Sequence, residues 1–176
     1  MLVVMTLTQT FVVHAIDAET ADQLRRVDDA GRAPLPVVEA EGGSPVRCCL
    51  RASRPGEELF LVSYAPLRRW AAERGIDPAA YDEVGPVFIH RTRCDGPAHD
   101  GFPDELRGTP RVMRAYDGNG RILDGRLVQA GEEPEPVINE LFDDERVAVV
   151  HARALGFGCF TFAIQRPSVS GPGSGA

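Results

Sequence analysis

The stretch from residue 111 to residue 128 constrains the fold more than any other. Two runs, Arg111-Val112-Met113-Arg114-Ala115-Tyr116 and Arg121-Ile122-Leu123-Asp124-Gly125-Arg126-Leu127-Val128, flank Asp117-Gly118-Asn119-Gly120. Asp-Gly and Asn-Gly between such runs are strong hairpin signals, because these residues tolerate the positive φ of tight turns. A hairpin forces antiparallel pairing. The other strand candidates are also separated by few helical segments. The pattern therefore predicts an α+β fold: a single domain with a mainly antiparallel sheet of about six to eight strands, and two or three helices packed on one face. The turn superficially resembles a calcium loop, but the EF-hand spacing and its distant Glu are missing.

The remaining elements follow from residue type and spacing. Residues 10–16 read as a strand. Asp17 can cap a helix over residues 18–28 that stops at Gly31, with Ala21, Leu24 and Val27 on one side. Pro34-Leu35-Pro36-Val37-Val38 suits an edge strand, where proline's missing donor does no harm. Val46-Arg47-Cys48-Cys49-Leu50-Arg51 reads as a strand, which puts Cys48 and Cys49 on opposite faces. Residues 58–64 are nearly all apolar and suit a central strand. Pro66 can open a short helix. Residues 85–90 form a buried strand that ends in His90, followed by Arg91, Arg93 and Cys94. Residues 92–109 are a long polar loop. An acidic start suits a helix running to about Phe142. Two last strands span residues 146–153 and 158–165. The domain is expected over 1–166, with a disordered Ser/Gly/Pro-rich tail over 167–176.

Composition removes several functions. The net charge of −7 and pI of about 5.1 disfavour duplex nucleic acid and anionic membranes as partners. All 19 basic residues are arginine. Schiff-base chemistry, a lysine base and a Walker-type phosphate loop are excluded, since each needs an ammonium group. The opening residues 1–7 lack a charged n-region, so a cytoplasmic protein with reduced cysteines is expected. Cys48 and Cys49 are adjacent, a poor geometry for two disulfides. There is no CxxC, GxSxG, HExxH or GxGxxG in a suitable context.

Several runs taken together resemble one family. These are Pro45-Val46-Arg47, Leu50-Arg51-Ala52, Pro55-Gly56-Glu57, Leu59-Phe60-Leu61-Val62-Ser63-Tyr64, Gly85-Pro86-Val87-Phe88-Ile89-His90, Arg114-Ala115-Tyr116-Asp117 and Gly158-Cys159-Phe160. The chain resembles the bacterial domain-of-unknown-function 1203 family over nearly its whole length. In that family a cysteine often precedes the first arginine; here the position is Val46, and Cys48 and Cys49 follow. The resemblance implies a bacterial, soluble, single-domain protein and supplies no activity.

Strand parity suggests a polar site. Phe88 and His90 share a face, as do Val112, Arg114 and Tyr116, and as do Val147, Val149, His151 and Arg153. If the three strands are neighbours, His90, Arg114, Tyr116, His151 and Arg153 line one pocket, joined by Arg47 and Cys94. Arg47, Arg114, Tyr116 and Arg153 would bind a small anionic ligand, because the guanidinium fork suits carboxylate or phosphate. His90, His151 and Cys94 are the catalytic candidates. The same arginines also suit simple pairing with the 26 acidic residues. Two alternatives stand beside this reading. One is an interaction module using a sheet edge or the 92–109 loop. The other is a metal site of His90, Cys94, His151 and Cys159, whose residue types suit zinc. No cofactor is expected and no metal ligand is assigned. His14 and His99 are expected to be incidental.

Overall fold

A computed structural model describes residues 10–168. The opening residues 1–9, and the expected tail from residue 169 on, lie outside the described residues. Ten strands form two five-stranded sheets. The elements are β1 (Val12–His14), α1 (Ala18–Leu24), β2 (Leu35–Val38), β3 (Pro45–Val46), β4 (Arg51–Ala52), β5 (Glu58–Tyr64), α2 (Pro66–Ala72), β6 (Gly85–His90), β7 (Arg111–Asp117), β8 (Ile122–Val128), α3 (Pro134–Phe142), β9 (Val147–Ala154) and β10 (Phe160–Gln165). The first sheet has the order β1-β10-β9-β7-β8 and the second β2-β5-β6-β3-β4. Every pairing is antiparallel except β3 with β6. The α+β, mainly antiparallel expectation holds, with the strands shared between two sheets.

The hairpin forms as its turn residues dictate. Asp117 Oδ1 accepts from the Asn119 and Arg121 amides at 2.8 and 2.9 Å. Gly120 has φ +75°, and a Cβ there would meet Pro78 Cβ at 3.0 Å. β2 is an edge strand, which accommodates Pro36.

The helices do not form one layer. Val137, Ile138 and Leu141 of α3 pack against Met113, Ala115, Val150 and Ala152, on one face of the first sheet. Leu67, Trp70 and Ala71 of α2 pack against Tyr116 and Val149, on the other face. Ala21 and Leu24 of α1 join Val46, Leu59, Val62, Val87 and Ile89 of the second sheet.

Helix α1 is shorter than residues 18–28. Asp17 caps it as expected, accepting from the Thr20 amide at 2.8 Å. At the other end the Asp28 carboxylate accepts from the amides of Ala30, Arg32 and Ser63. Those bonds hold the chain in a turn that competes with further helix.

One correction decides the site. Residues 46–51 are not a strand. β3 ends at Val46 and β4 begins at Arg51, with a tight turn between them. The Leu50 amide bonds to the Val46 carbonyl at 2.9 Å, and Leu50 adopts φ +58°. Side chains on a turn do not alternate faces as they do on a strand. Cys48 and Cys49 are therefore both buried on the core side.

Candidate functional site

The Cys48-Cys49 turn is held against the end of β6. β3 runs parallel to β6 with Val46 opposite Phe88, and the Arg47 amide donates to the Phe88 carbonyl at 2.8 Å. This register carries the two cysteines to His90, the last residue of β6. Cys94 returns to them after a short bend. Arg25, just past α1, pins that bend: its Nε donates to the His90 carbonyl at 3.0 Å and its Nη2 to the Thr92 carbonyl at 2.9 Å.

Four potential ligand atoms converge. Cys94 Sγ lies 3.4 Å from Cys48 Sγ. His90 Nδ1 lies 3.5 Å from Cys48 Sγ and 3.8 Å from Cys49 Sγ. The three sulfurs and the histidine nitrogen all fall within 4.8 Å of one another. The far side of the imidazole is also engaged. His90 Nε2 is 3.1 Å from Arg51 Nη2 and 3.8 Å from Glu57 Oε2. Arg51 in turn makes a two-pronged pair with Glu57 at 3.0 and 2.6 Å.

The electrostatics favour one negative sulfur. Hydrogen bonding from Cys48, and His90 beside it, pull the Cys49 thiol down despite burial. Cys48 is pushed up by its bond to Cys49 and by burial. His90 is raised to about 9, mainly by the Cys49 sulfur. Glu57 is held down at about 2 by Arg51. Of the three sulfurs, Cys49 is the one eased towards thiolate, with His90 as its neighbour. Two clefts are lined by the cluster's cysteines, and both share residues 95–97 in their walls. Cys48 and Cys94 line a cleft of about 430 Å³ with Arg25 and Ile16. Cys49 lines another of about 410 Å³ with Arg51 and Glu105.

The residues singled out from sequence are divided between two places. β7 and β9 are neighbours, with Arg114 opposite His151 and Val112 opposite Arg153. This brings Arg114, Tyr116, His151 and Arg153 together as parity suggested. His151 is fully buried between the Tyr116 ring at 4.8 Å and the Phe160 ring at 5.1 Å. Burial, with Arg153 and Arg114 nearby, lowers its pKa to about 3. Both of those arginines bond Glu83, Arg114 at 2.8 and 2.9 Å. His90 ends β6 of the second sheet and Cys94 lies in the loop that follows it. Arg47 is buried and donates from Nε to the Phe160 carbonyl at 2.9 Å, and also to the Pro45 carbonyl.

The set His90, Cys94, His151 and Cys159 is therefore split. Its first two members meet Cys48 and Cys49 instead. Cys159 Sγ lies 3.6 Å from the Phe157 carbonyl, in the turn before β10. His99 staples its own loop, 3.3 Å from Asp104. The 92–109 loop is anchored: Phe102 and Leu106 enter the core of the first sheet, and Glu105 accepts from the Ala52 amide. Sequence reasoning missed Cys48 and Cys49 because it placed them on a strand. The adjacent pair itself was the available signal.

The family described as "Protein of unknown function (DUF1203)" has a model that matches residues 43–166. The chain belongs to that family, and the matched span contains all four cluster residues. No curated protein and no solved structure matches it.

Proposed function

We propose that this DUF1203 chain is a metal-binding protein whose centre is Cys48, Cys49, Cys94 and His90, with zinc as the best-fitting ion. One observation carries the reading: four N/S ligand atoms from three chain segments lie within 4.8 Å of one another. With Zn–S near 2.3 Å and Zn–N near 2.0–2.1 Å, tetrahedral ligands sit about 3.6–3.8 Å apart. Three of the six separations, Cys48–Cys94, Cys48–His90 and Cys49–His90, run from 3.4 to 3.8 Å. Thiolate and imidazole donors favour zinc or another soft ion over magnesium or calcium.

The surrounding residues support the same reading. A ligating Nδ1 must be bare, so the His90 proton has to reside on Nε2. Its acceptor is then Glu57, and Arg51 has to yield its place beside Nε2. Arg51 and Glu57 thus govern which nitrogen of His90 is available. Four protein ligands leave no position for water, which favours a holding role over hydrolysis at the metal. The ion would tie the 46–51 turn to the end of β6 and the start of the long loop.

Protein purified untagged and reduced, then titrated with Co²⁺, tests this. One equivalent per chain should bind with thiolate-to-cobalt charge-transfer absorption, and zinc should displace it. Cys49→Ser and His90→Ala should each weaken binding, while Cys159→Ser should not. No binding by folded, fully reduced protein would refute the proposal.

A second reading rests on the Cys49–His90 pair and the cleft beside Cys49. A thiolate next to an imidazolium is an activated nucleophile. The same preparation separates the two. If the metal is resident, Cys49 alkylation by iodoacetamide is slow until a chelator is added. If Cys49 is a nucleophile, alkylation is fast in the protein as isolated and metal content is nil.

A further inference from the structure

The three sulfurs of the cluster are not equivalent. Cys48 and Cys94 both line the cleft of about 430 Å³, while Cys49 lines the other. Cys94 is only partly buried, whereas Cys48 is 5% exposed. All three are free thiols. The Cys48 and Cys94 sulfurs lie 3.4 Å apart, closer than Cys48 or Cys49 lies to His90 Nδ1, at 3.5 and 3.8 Å.

The chain around both sulfurs is held in place. Arg25 donates to the Thr92 carbonyl at 2.9 Å, and Arg93 Nε donates to the Asp22 carboxylate of α1 at 2.9 Å, which fixes the approach to Cys94. Cys48 sits in the turn closed by the bond from the Leu50 amide to the Val46 carbonyl. A disulfide is about 2.05 Å long, so the two sulfurs must close by about 1.4 Å from their separation of 3.4 Å. Rotation about the Cα–Cβ bonds supplies a movement of that size. A bond between Cys48 and Cys49 is less favourable. Adjacent Cα atoms are about 3.8 Å apart, below the roughly 4.4–6.8 Å that disulfides span.

We propose that Cys48 and Cys94 are a redox pair that controls the metal: hydrogen peroxide oxidises Cys94, Cys48 resolves it as a disulfide, and the ion leaves. The release step rests on the metal-binding function proposed above; the cysteine pair itself does not. The Cys94 sulfur, the more accessible of the two, attacks one peroxide oxygen. The O–O bond breaks, and Cys94 becomes a sulfenic acid as the other oxygen leaves as water. The Cys48 sulfur then displaces the sulfenic oxygen as a second water and forms the S–S bond. Overall, two metal-bound thiolates, one hydrogen peroxide and two protons from solvent give one disulfide, two waters and a free Zn²⁺. The sulfurs lose two electrons and the peroxide gains them. Cys49 and His90 alone then face the ion, and two protein ligands do not complete a tetrahedral zinc site.

Zinc-loaded, reduced protein treated with a small excess of hydrogen peroxide makes the test. Bound zinc should fall from one per chain to near none, read as free ion by a chromogenic chelator, and reduction by a phosphine should restore it. The mass of the metal-free chain should fall by two hydrogens. An arginine-specific digest should join residues 48–51 to residues 94–107, and fragmentation between Cys48 and Cys49 should place the bond on Cys48. In Cys48→Ser, peroxide should leave Cys94 as a sulfenic acid that dimedone traps. If that variant fails to fold, the wild-type digest makes the same assignment. Cys159→Ser should release zinc as the wild type does. Zinc retained under peroxide, with no disulfide formed, overturns the switch and leaves the metal reading standing. A disulfide through Cys49, or zinc lost with only sulfinic acids formed, overturns it as well. Protein that holds no zinc yet joins Cys48 to Cys94 refutes the metal reading and upholds the pair.

Discussion

His90 and His151 each end up buried among residues drawn from distant parts of the chain, yet their surroundings act in opposite directions. His90 lies against three sulfurs and is raised to about 9. His151 lies between two aromatic rings with arginines nearby and is lowered to about 3. A histidine beside a thiolate is stabilised as a cation, and gives up that proton only to something that replaces its charge, such as a metal. A histidine buried beside arginines is locked neutral and can serve only as a hydrogen-bonding group. The residue type is the same in both places; the charge and solvation of its neighbours set the chemistry.

Breaking the first region should have the largest effect. Cys49→Ser or Cys94→Ser should reduce bound metal from one per chain to near none. Loss of a ligand present at a thousandfold excess over its Kd removes about 4 kcal/mol of apparent stability. For a domain of this size that is roughly a 10 °C fall in Tm, measurable by calorimetry with and without chelator. The wild-type protein in chelator should fall by a similar amount.

The two histidines should then separate by pH. Metal binding must expel the His90 proton, so affinity for Co²⁺ should rise as pH increases towards about 9 and weaken in acid. His151 acts on stability itself. Its pKa is 6.5 when unfolded and about 3 when folded, so below 6.5 the unfolded chain takes a proton that the folded protein refuses. The contribution is complete above 6.5 and is lost as pH falls towards 3. By about pH 4.5 the loss is on the order of 3 kcal/mol. Urea denaturation at several pH values should show this slope, and His151→Phe should flatten it.

Glu83 tests the smaller electrostatic difference. It meets both Arg114 and Arg153 and is about half exposed. Glu83→Gln should cost only about 1 kcal/mol, because solvent screens the pair. It should leave metal content unchanged. A change in Co²⁺ affinity would mean that the two regions are coupled. Cys159→Ser should change neither quantity.

Much of the fold was legible because its signals are local. Asp117-Gly118-Asn119-Gly120 made the β7–β8 hairpin, Asp17 capped α1, and Pro36 kept its strand at an edge. Arg114, Tyr116, His151 and Arg153 could be grouped because strand parity is also local and β7 pairs with β9. Parity gave no warning about residues 46–51, where Val46, Cys48, Cys49 and Leu50 between arginines read as a strand. The break there is a turn closed from Leu50 to Val46, with Leu50 in a conformation that favours glycine.

The sequence by itself determined the α+β class, most element positions, the absence of lysine chemistry and the family. It also determined that His90 and Cys94 lie close together, since only three residues separate them. Only the tertiary structure decided which residues join them. The parallel pairing of β3 with β6 and the turn after β3 bring Cys48 and Cys49 across about forty residues of chain to His90. It decided equally that His151 is buried against Tyr116 and Phe160 in the other sheet. The physical reason is that spacing along a strand fixes which face a side chain takes, while the partner across that face depends on which strands pair. That choice is made by burial over the whole chain and has no signature in any one segment.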